Sequence, residues 1–264
     1  MTAKSQESFW HQLRIQGRVI WALLMREMIT RYGREGLGIL WIIAEPAMFI
    51  LGVMVIFPFI DTAFRGSTVA EYLAVSYPTL LLWRNGTNRV TKAIEVNRAL
   101  LHHRPIRPID IILSRVCLEF TSATATFLIL YLIFIVVGIC HWPNNVLTMT
   151  LGYLLVVWFS FGFVMIMAAL AELSESIEKV SHIILYLMLP FSGVFIPAYL
   201  IPEPYRNYVL LFPLVDCVEY FHHGYFGSAM PTYYYLNYTM AVNLALTFVG
   251  LSLTAVAINR VQTS

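Results

Sequence analysis

The sequence predicts an all-α polytopic membrane protein. Six transmembrane helices follow an N-terminal amphipathic interface helix, and re-entrant helices precede the last span. Three observations lead there. Hydrophobic residues make up 59% of the 264 residues and charged residues 12%, against about 45–50% and 25% in soluble domains. Mean hydropathy over the whole length is +0.71. Five stretches reach the roughly 20 apolar residues that a spanning helix needs. This composition excludes a disordered chain, an ordinary cytosolic enzyme and an open nucleic-acid binder. The net charge of +2 is too small to identify an anionic partner.

Residues 1–36 read as an interfacial helix. At about 100° per residue, Phe9, Trp10, Leu13, Gly17, Ile20, Trp21, Leu24 and Met28 share one side, and Arg14, Arg18 and Arg26 fall on another. Basic residues opposite Trp, Phe and Leu suit a helix lying in the headgroup plane. Glu27 sits near the edge of the apolar side, and a cytoplasmic helix packed on a partner is the alternative. The first apolar run follows six basic residues, unlike the short basic region of a secretory signal.

Residues 37–264 read as one six-span domain. The five clear runs are 37–60, 111–140, 146–171, 180–200 and 233–259. No Asp, Glu, Lys or Arg lies between Val146 and Ala171, between Val180 and Pro202, or between Tyr220 and Asn259. In lipid such runs satisfy their backbone only as helices. The remaining candidate, 72–83, is short and runs into Arg84, Asn85, Thr87, Asn88, Arg89 and Lys92. A re-entrant segment is one reading. A span over 69–95 with a polar inner half is the other, and it makes the topology even. Fifteen basic residues then fall on one side: Lys4, Arg14, Arg18, Arg26, Arg31, Arg34, Arg84, Arg89, Lys92, Arg98, Arg104, Arg107, Arg115, Lys179 and Arg260. Two, Arg65 and Arg206, fall on the other, so both termini are expected in the cytoplasm.

Two connections are not simple. Residues 97–110 (NRALLHHRPIRPID) carry Leu100 and Leu101 ahead of basic residues and two prolines, and exposed leucines there would need a partner. Residues 190–231 hold six of the twelve prolines. Proline breaks helix interiors, so this apolar stretch predicts short broken helices dipping into the outer half of the membrane. An ordinary outer loop is the alternative. Cys117, Cys140 and Cys217 form no disulfide pattern and read as packing residues.

Ionisable groups inside spans are costly and mark functional candidates. Glu45 precedes Pro46, and Arg115 and Glu119 lie in the third span. Arg84, Asn88, Thr91, Lys92 and Glu95 recur at helical spacing in the second, with Asn85 and Arg89 beside them. Such a stripe belongs against a cavity or another helix. Its guanidinium and amide donors suit a polyhydroxylated, anionic substrate. Internal pairing, Arg115 with Glu119 and Glu45 with Arg84, is the structural alternative. Trp83, Tyr153, Trp158, Phe159, Phe161 and Phe163 could stack on sugar rings or simply pack. Catalytic patterns are weak. His102–His103 and His222–His223 lack the i,i+4 spacing of a zinc helix, and no HExxH occurs. Ser192 and Ser228 sit in no GxSxG elbow. No GxxxxGK[ST] loop occurs, so ATP hydrolysis is expected of another chain.

Three segments carry a family resemblance. Residues 31–46 (RYGREGLGILWIIAEP), 97–110, and 189–226 (LPFSGVFIPAYLIPEPYRNYVLLFPLVDCVEYFHHGYF) resemble, in order, the permeases of ABC-2-type polysaccharide exporters. The chain is most similar to the inner-membrane permeases of capsular polysaccharide export; O-antigen and teichoic-acid exporters share the pattern. The resemblance implies a homodimer with a channel at its interface. It implies a separate ATPase subunit that carries ATP and Mg, so that this chain needs no cofactor. Asn97, Arg98, Leu100, Leu101, His102, His103 and Arg104 would then seat in that ATPase. Arg31, Tyr32 and Arg34 would meet a lipid-linked substrate beside the first span. An acidic polysaccharide on a lipid anchor would be the cargo, with membrane lipids around and periplasmic and outer-membrane export proteins beyond. Arg84, Asn85, Asn88, Arg89, Lys92, Glu45 and Trp83 are the expected cargo contacts. Outside this class stand an intramembrane hydrolase and a stand-alone channel or carrier.

Overall fold

The computed structural model describes residues 9–32, 37–56, 67–97 and 106–263. It is helical, with no strand among the described residues. The order is α1 (Phe9–Tyr32), α2 (Leu37–Ile56), α3 (Val69–Val90), α4 (Ala93–Val96), α5 (Pro108–Val137), α6 (Val146–Leu173), α7 (Glu175–Met188), α8 (Glu203–Leu210), α9 (Pro213–Phe226) and α10 (Leu236–Thr263). Helices over Pro108–Val137, Val146–Leu173 and Leu236–Asn259 are long and apolar enough to cross a membrane.

Local chemistry sets the boundaries. Thr68 caps α3 by accepting from the Glu71 amide at 3.1 Å. Pro108 opens α5, where the Asp110 carboxylate accepts from the Arg107 amide, and Gly138 closes it at φ +81. Asn145 caps α6 by accepting from Thr148 at 3.0 Å. The apolar run 180–200 is not one helix. α7 stops at Met188, Pro190 starts a 3-10 turn, and Gly193 turns the chain at φ +71. Proline lacks the amide that would continue the ladder, so this break follows from the sequence.

α3 is the central element. Its residues 71–83 are all buried, and it packs on α2, α5, α6, α7 and α9. Its serine and threonine hydroxyls are satisfied within its own turns. Ser76 donates to the Tyr72 carbonyl, Thr79 to Ser76 and Thr87 to Trp83, all at 2.6–2.7 Å. A helix can therefore carry hydroxyls through an apolar bundle without open hydrogen-bonding groups. The second half of the fold is a tight triple layer of α6 against α9 and α10. A Cβ on Gly224 would overlap the backbone of Met149, and one on Gly152 would overlap that of Phe221. Only glycine allows α9 and α6 to approach this closely.

α1 lies outside this bundle, against α5. Gln16 meets Asp110 on α5, and Glu27 meets Arg115. α1 advances about 16 Å between those two residues while the contacts on α5 advance about 7.5 Å. The two helices therefore cross obliquely. The face that α1 turns to α5 holds Gln16, Leu23 and Glu27. The predicted apolar stripe lies mostly away from α5, with Ile20 and Leu24 half-buried. Trp10, Leu13, Trp21 and Met28 are exposed, and nothing approaches Gly17.

Candidate functional site

Three polar clusters stand on this framework. The first lies between α2 and α3. Arg84 follows Tyr77 by two helical turns, and its guanidinium and the Glu45 carboxylate both lie near enough to the Tyr77 hydroxyl to act on it electrostatically. Glu45 and Arg84 thus share Tyr77 as a neighbour. One turn beyond Glu45, Phe49 stacks on Tyr77 with ring centroids 4.3 Å apart and meets Phe195 edge-on. Asn85 and Asn88 are half-buried farther along α3. The Asn88 Oδ1 is buried and has no hydrogen-bond partner among the described residues. A buried acceptor left open costs about 1–3 kcal/mol. Trp83 points the other way, into the core, fully buried and edge-on to Phe163.

The second cluster ties α1 to the ends of α3, α4 and α5. Arg115 donates to Glu27 at 2.7 Å and to the Arg89 carbonyl at 2.9 Å. Arg89 stands 3.5 Å from Glu119. The alternative pairing of Arg115 with Glu119 along one helix gives way to pairs between helices. Helix crossing angles decide this, and i,i+4 spacing does not report them. Arg26 donates to the buried Asn97 at 3.3 Å, and Gln16 donates to Asp110 at 3.0 Å. Lys92 and Glu95 are exposed beside this cluster. Arg98, Leu100, Leu101, His102, His103, Arg104 and Arg34 lie outside the described residues. Arg31 and Tyr32 end α1, and their side chains are likewise not described.

The third cluster joins the other end of α3 to α9. Glu71 accepts from the Tyr225 hydroxyl at 2.8 Å, from Ser67 at 3.2 Å, and pairs with His141 at 2.8 Å. The Tyr131 hydroxyl reaches the His141 carbonyl at 2.7 Å. Cys140, in the connection after α5, is buried, and that burial, with the Glu71 charge, pushes its thiol up to about 12. Deeper in, Ser76 and His222 are 2.6 Å apart, and Tyr72 donates to the Gly193 carbonyl at 2.6 Å. Ser76 already donates to Tyr72, so the His222 Nε2 is the donor to Ser76.

On α9, Asp216 accepts from Thr239 and the Tyr235 amide, both at 2.9 Å, and Glu219 from the amides of Ala198 and Tyr233. Arg206 grips the carbonyls of Ala198 and Ile201 and lies 4.1 Å from the Tyr233 ring centre. Ser192 donates to Leu189, and Ser228 is exposed with no histidine joined to it among the described residues. Among the sequence-predicted residues, the structure sets Glu45 and Arg84 near Tyr77, joins Arg89 to Glu119 and joins Asn97 to Arg26 of α1. It holds Trp83 apart. Tyr77, Phe49, Glu71, His141 and Tyr225 were missed. The spacing of Tyr77 to Arg84 and of Glu45 to Phe49 is helical, and it was the available signal.

Residues 18–226 match the ABC-2 type transporter family. The chain is 36% identical over 255 residues to the capsule polysaccharide export inner-membrane protein CtrC of Neisseria meningitidis serogroup B, covering 96% of each chain. It is 34% identical over 245 residues to the inner-membrane protein BexB of Haemophilus influenzae, covering 92% of each. With the polysialic acid transport protein KpsM of Escherichia coli it shares 31% over 249 residues, covering 90% of this chain and 93% of that one. Likeness at this level over nearly the whole length, on a helical bundle with apolar spans, makes this chain a member of the ABC-2 type transporter family.

Proposed function

We propose that this chain is the transmembrane permease subunit of an ATP-driven exporter of lipid-linked capsular polysaccharide in the bacterial inner membrane. The observation that carries the reading is the near-full-length likeness to proteins named for capsule polysaccharide export. In this reading the bundle makes six passages. α2, α3, α5, α6 and α10 supply five, and α7 with the turns after it supplies another. Both termini face the cytoplasm. α8 and α9 are re-entrant on the outer side, with α9 buried against α6 and α8 largely exposed. Two copies enclose the path, and ATP and Mg act on a separate ATPase subunit that docks at residues 97–104.

The cluster between α2 and α3 is the cargo-facing surface. Arg84 offers guanidinium donors to carboxylates, Asn85 and Asn88 serve hydroxyls, and Phe49 stacked on Tyr77 gives sugar rings a flat apolar wall. The permease breaks no covalent bond. Its role is to hold the chain differently in the states that the ATPase cycle populates. Arg84→Ala with Arg89→Ala is expected to lower surface polymer severalfold at unchanged protein level. Undiminished export removes the cargo-contact assignment. Leu100→Asp with Leu101→Asp is expected to lose the ATPase subunit in a pull-down, and its retention removes the docking assignment.

A further inference from the structure

We propose that α1 is a binding surface for anionic phospholipid and that it passes the state of that surface to the connection between α4 and α5. The inference rests on the cytoplasmic placement of α1 given above. It joins two adjoining faces of one helix.

The outward face is apolar and cationic together. Trp21 is 61% exposed, and Leu13 and Met28 are exposed beside it. A Cβ on Gly17, in the middle of the stripe, would meet nothing within 4 Å. Along the stripe's edge stand Arg14 and Arg18, both exposed and neither in an ion pair among the described residues. An apolar stripe with free guanidinium groups on its flank fits a bilayer whose headgroups carry negative charge. A protein partner would more usually match the two arginines with carboxylates. Each basic side chain at an anionic surface raises partitioning by about fivefold, so the pair accounts for roughly 25-fold.

The inward face is polar and reaches both roots of one connection. Arg26 bonds Asn97, which closes α4, and Gln16 bonds Asp110, in the first turn of α5. Glu27 adds the pair with Arg115, both side chains largely buried. α1 therefore straps together the two ends between which residues 98–105 run. A helix drawn toward the headgroups pulls on those roots through directional hydrogen bonds, and a released helix lets them go. Two discrete attachments of this kind give the coupling a physical route.

The test uses the full chain in proteoliposomes, without ATPase or cargo. Brominated phosphatidylglycerol and brominated phosphatidylcholine are compared as quenchers of Trp21 fluorescence, isolated as the difference between the native chain and Trp21→Phe. Phosphatidylglycerol is expected to quench at several-fold lower mole fraction, and Arg14→Gln with Arg18→Gln is expected to abolish the preference. Equal quenching by both lipids, or a preference that survives those substitutions, overturns the lipid site. Quenching by neither lipid overturns it too and assigns the face to another protein surface.

For the coupling, Val96→Cys in a Cys117→Ser background reports the root of the connection through its maleimide labelling rate. That rate is expected to shift at least threefold between vesicles with and without phosphatidylglycerol. Gln16→Ala with Arg26→Ala is expected to remove the shift while leaving the quenching preference intact. A labelling rate indifferent to lipid charge, or a shift that persists in the double variant, overturns the coupling. These readouts are separate from export, so their failure leaves the transport assignment to its own tests.

Discussion

Glu71 shows how a single charge can order one end of the bundle. Its carboxylate is almost wholly buried yet meets Tyr225, Ser67 and His141, while the His141 side chain is 81% exposed. Glu71→Ala leaves the Tyr225 hydroxyl without its acceptor, which costs about 1–3 kcal/mol. Chemical denaturation in mild detergent is expected to show that loss, while His141→Ala, which removes an exposed group, costs less than about 1 kcal/mol. Arg115 and Glu27 form the more enclosed pair on the opposite side of the fold. A double-mutant cycle on them is expected to give a coupling of about 0.5–3 kcal/mol. Cys140, with its thiol held near 12, is expected to label with maleimide at pH 8 at least about a hundredfold more slowly in the folded than in the unfolded chain. The residue scale is where the sequence was least legible. Arg84 and Glu45 could be named because charge in an apolar run is conspicuous. Tyr225 could not, because a tyrosine in such a run looks the same whether it packs, stacks or binds a carboxylate, and Tyr77 had only its helical spacing to Arg84 to mark it.

Elements were legible in proportion to how uniform their composition is. α5, α6 and α10 stand out because their lipid-facing sides, with Leu132, Val136, Leu147, Leu244 and Phe248 exposed, are as apolar as their cores. α3 was ambiguous for the opposite reason. It is enclosed by protein, so it can carry Glu71, Arg84 and Arg89 at its ends and hydroxyls through its middle. Hydropathy sees the dilution and not the enclosure. α7 was overextended in the sequence reading because 189–200 is apolar, although Pro190 and Gly193 announce the break. The close crossing of α6 and α9 gives the sharpest test at this scale. Gly224→Ala pushes a methyl into the Met149 backbone and is expected to abolish monodisperse protein in size-exclusion chromatography. Gly52→Ala on α2 meets open space, and removing a helical glycine there is expected to stabilise by up to about 1 kcal/mol.

At the scale of the whole molecule, the proposed orientation follows from the tally of basic residues, and the ends of α3 give the bundle two poles. Arg84 and Arg89 mark one, Glu71 and His141 the other. Single cysteines at Val96 and at His141 are therefore expected to react with impermeant maleimide from opposite faces of the cell membrane, Val96→Cys from the inside and His141→Cys from the outside. Labelling of both from one face removes the passage assigned to α3 and, with it, the six-span arrangement. The three helices that are long and apolar enough to cross were readable from length and composition, because the bilayer imposes both. How the helices lean on one another was not, because crossing angles depend on side-chain fit between segments distant in sequence.

The seat of α3 has a mechanical corollary. A helix gripped on five sides cannot rotate or slide without unpacking five seams together, and interiors at protein density resist that. α2 and α7 lean on fewer neighbours. Widening of any conduit is thus expected to come from these outer staves swinging about a stationary keel, with the arginines of α3 staying in place while the wall opposite them retreats.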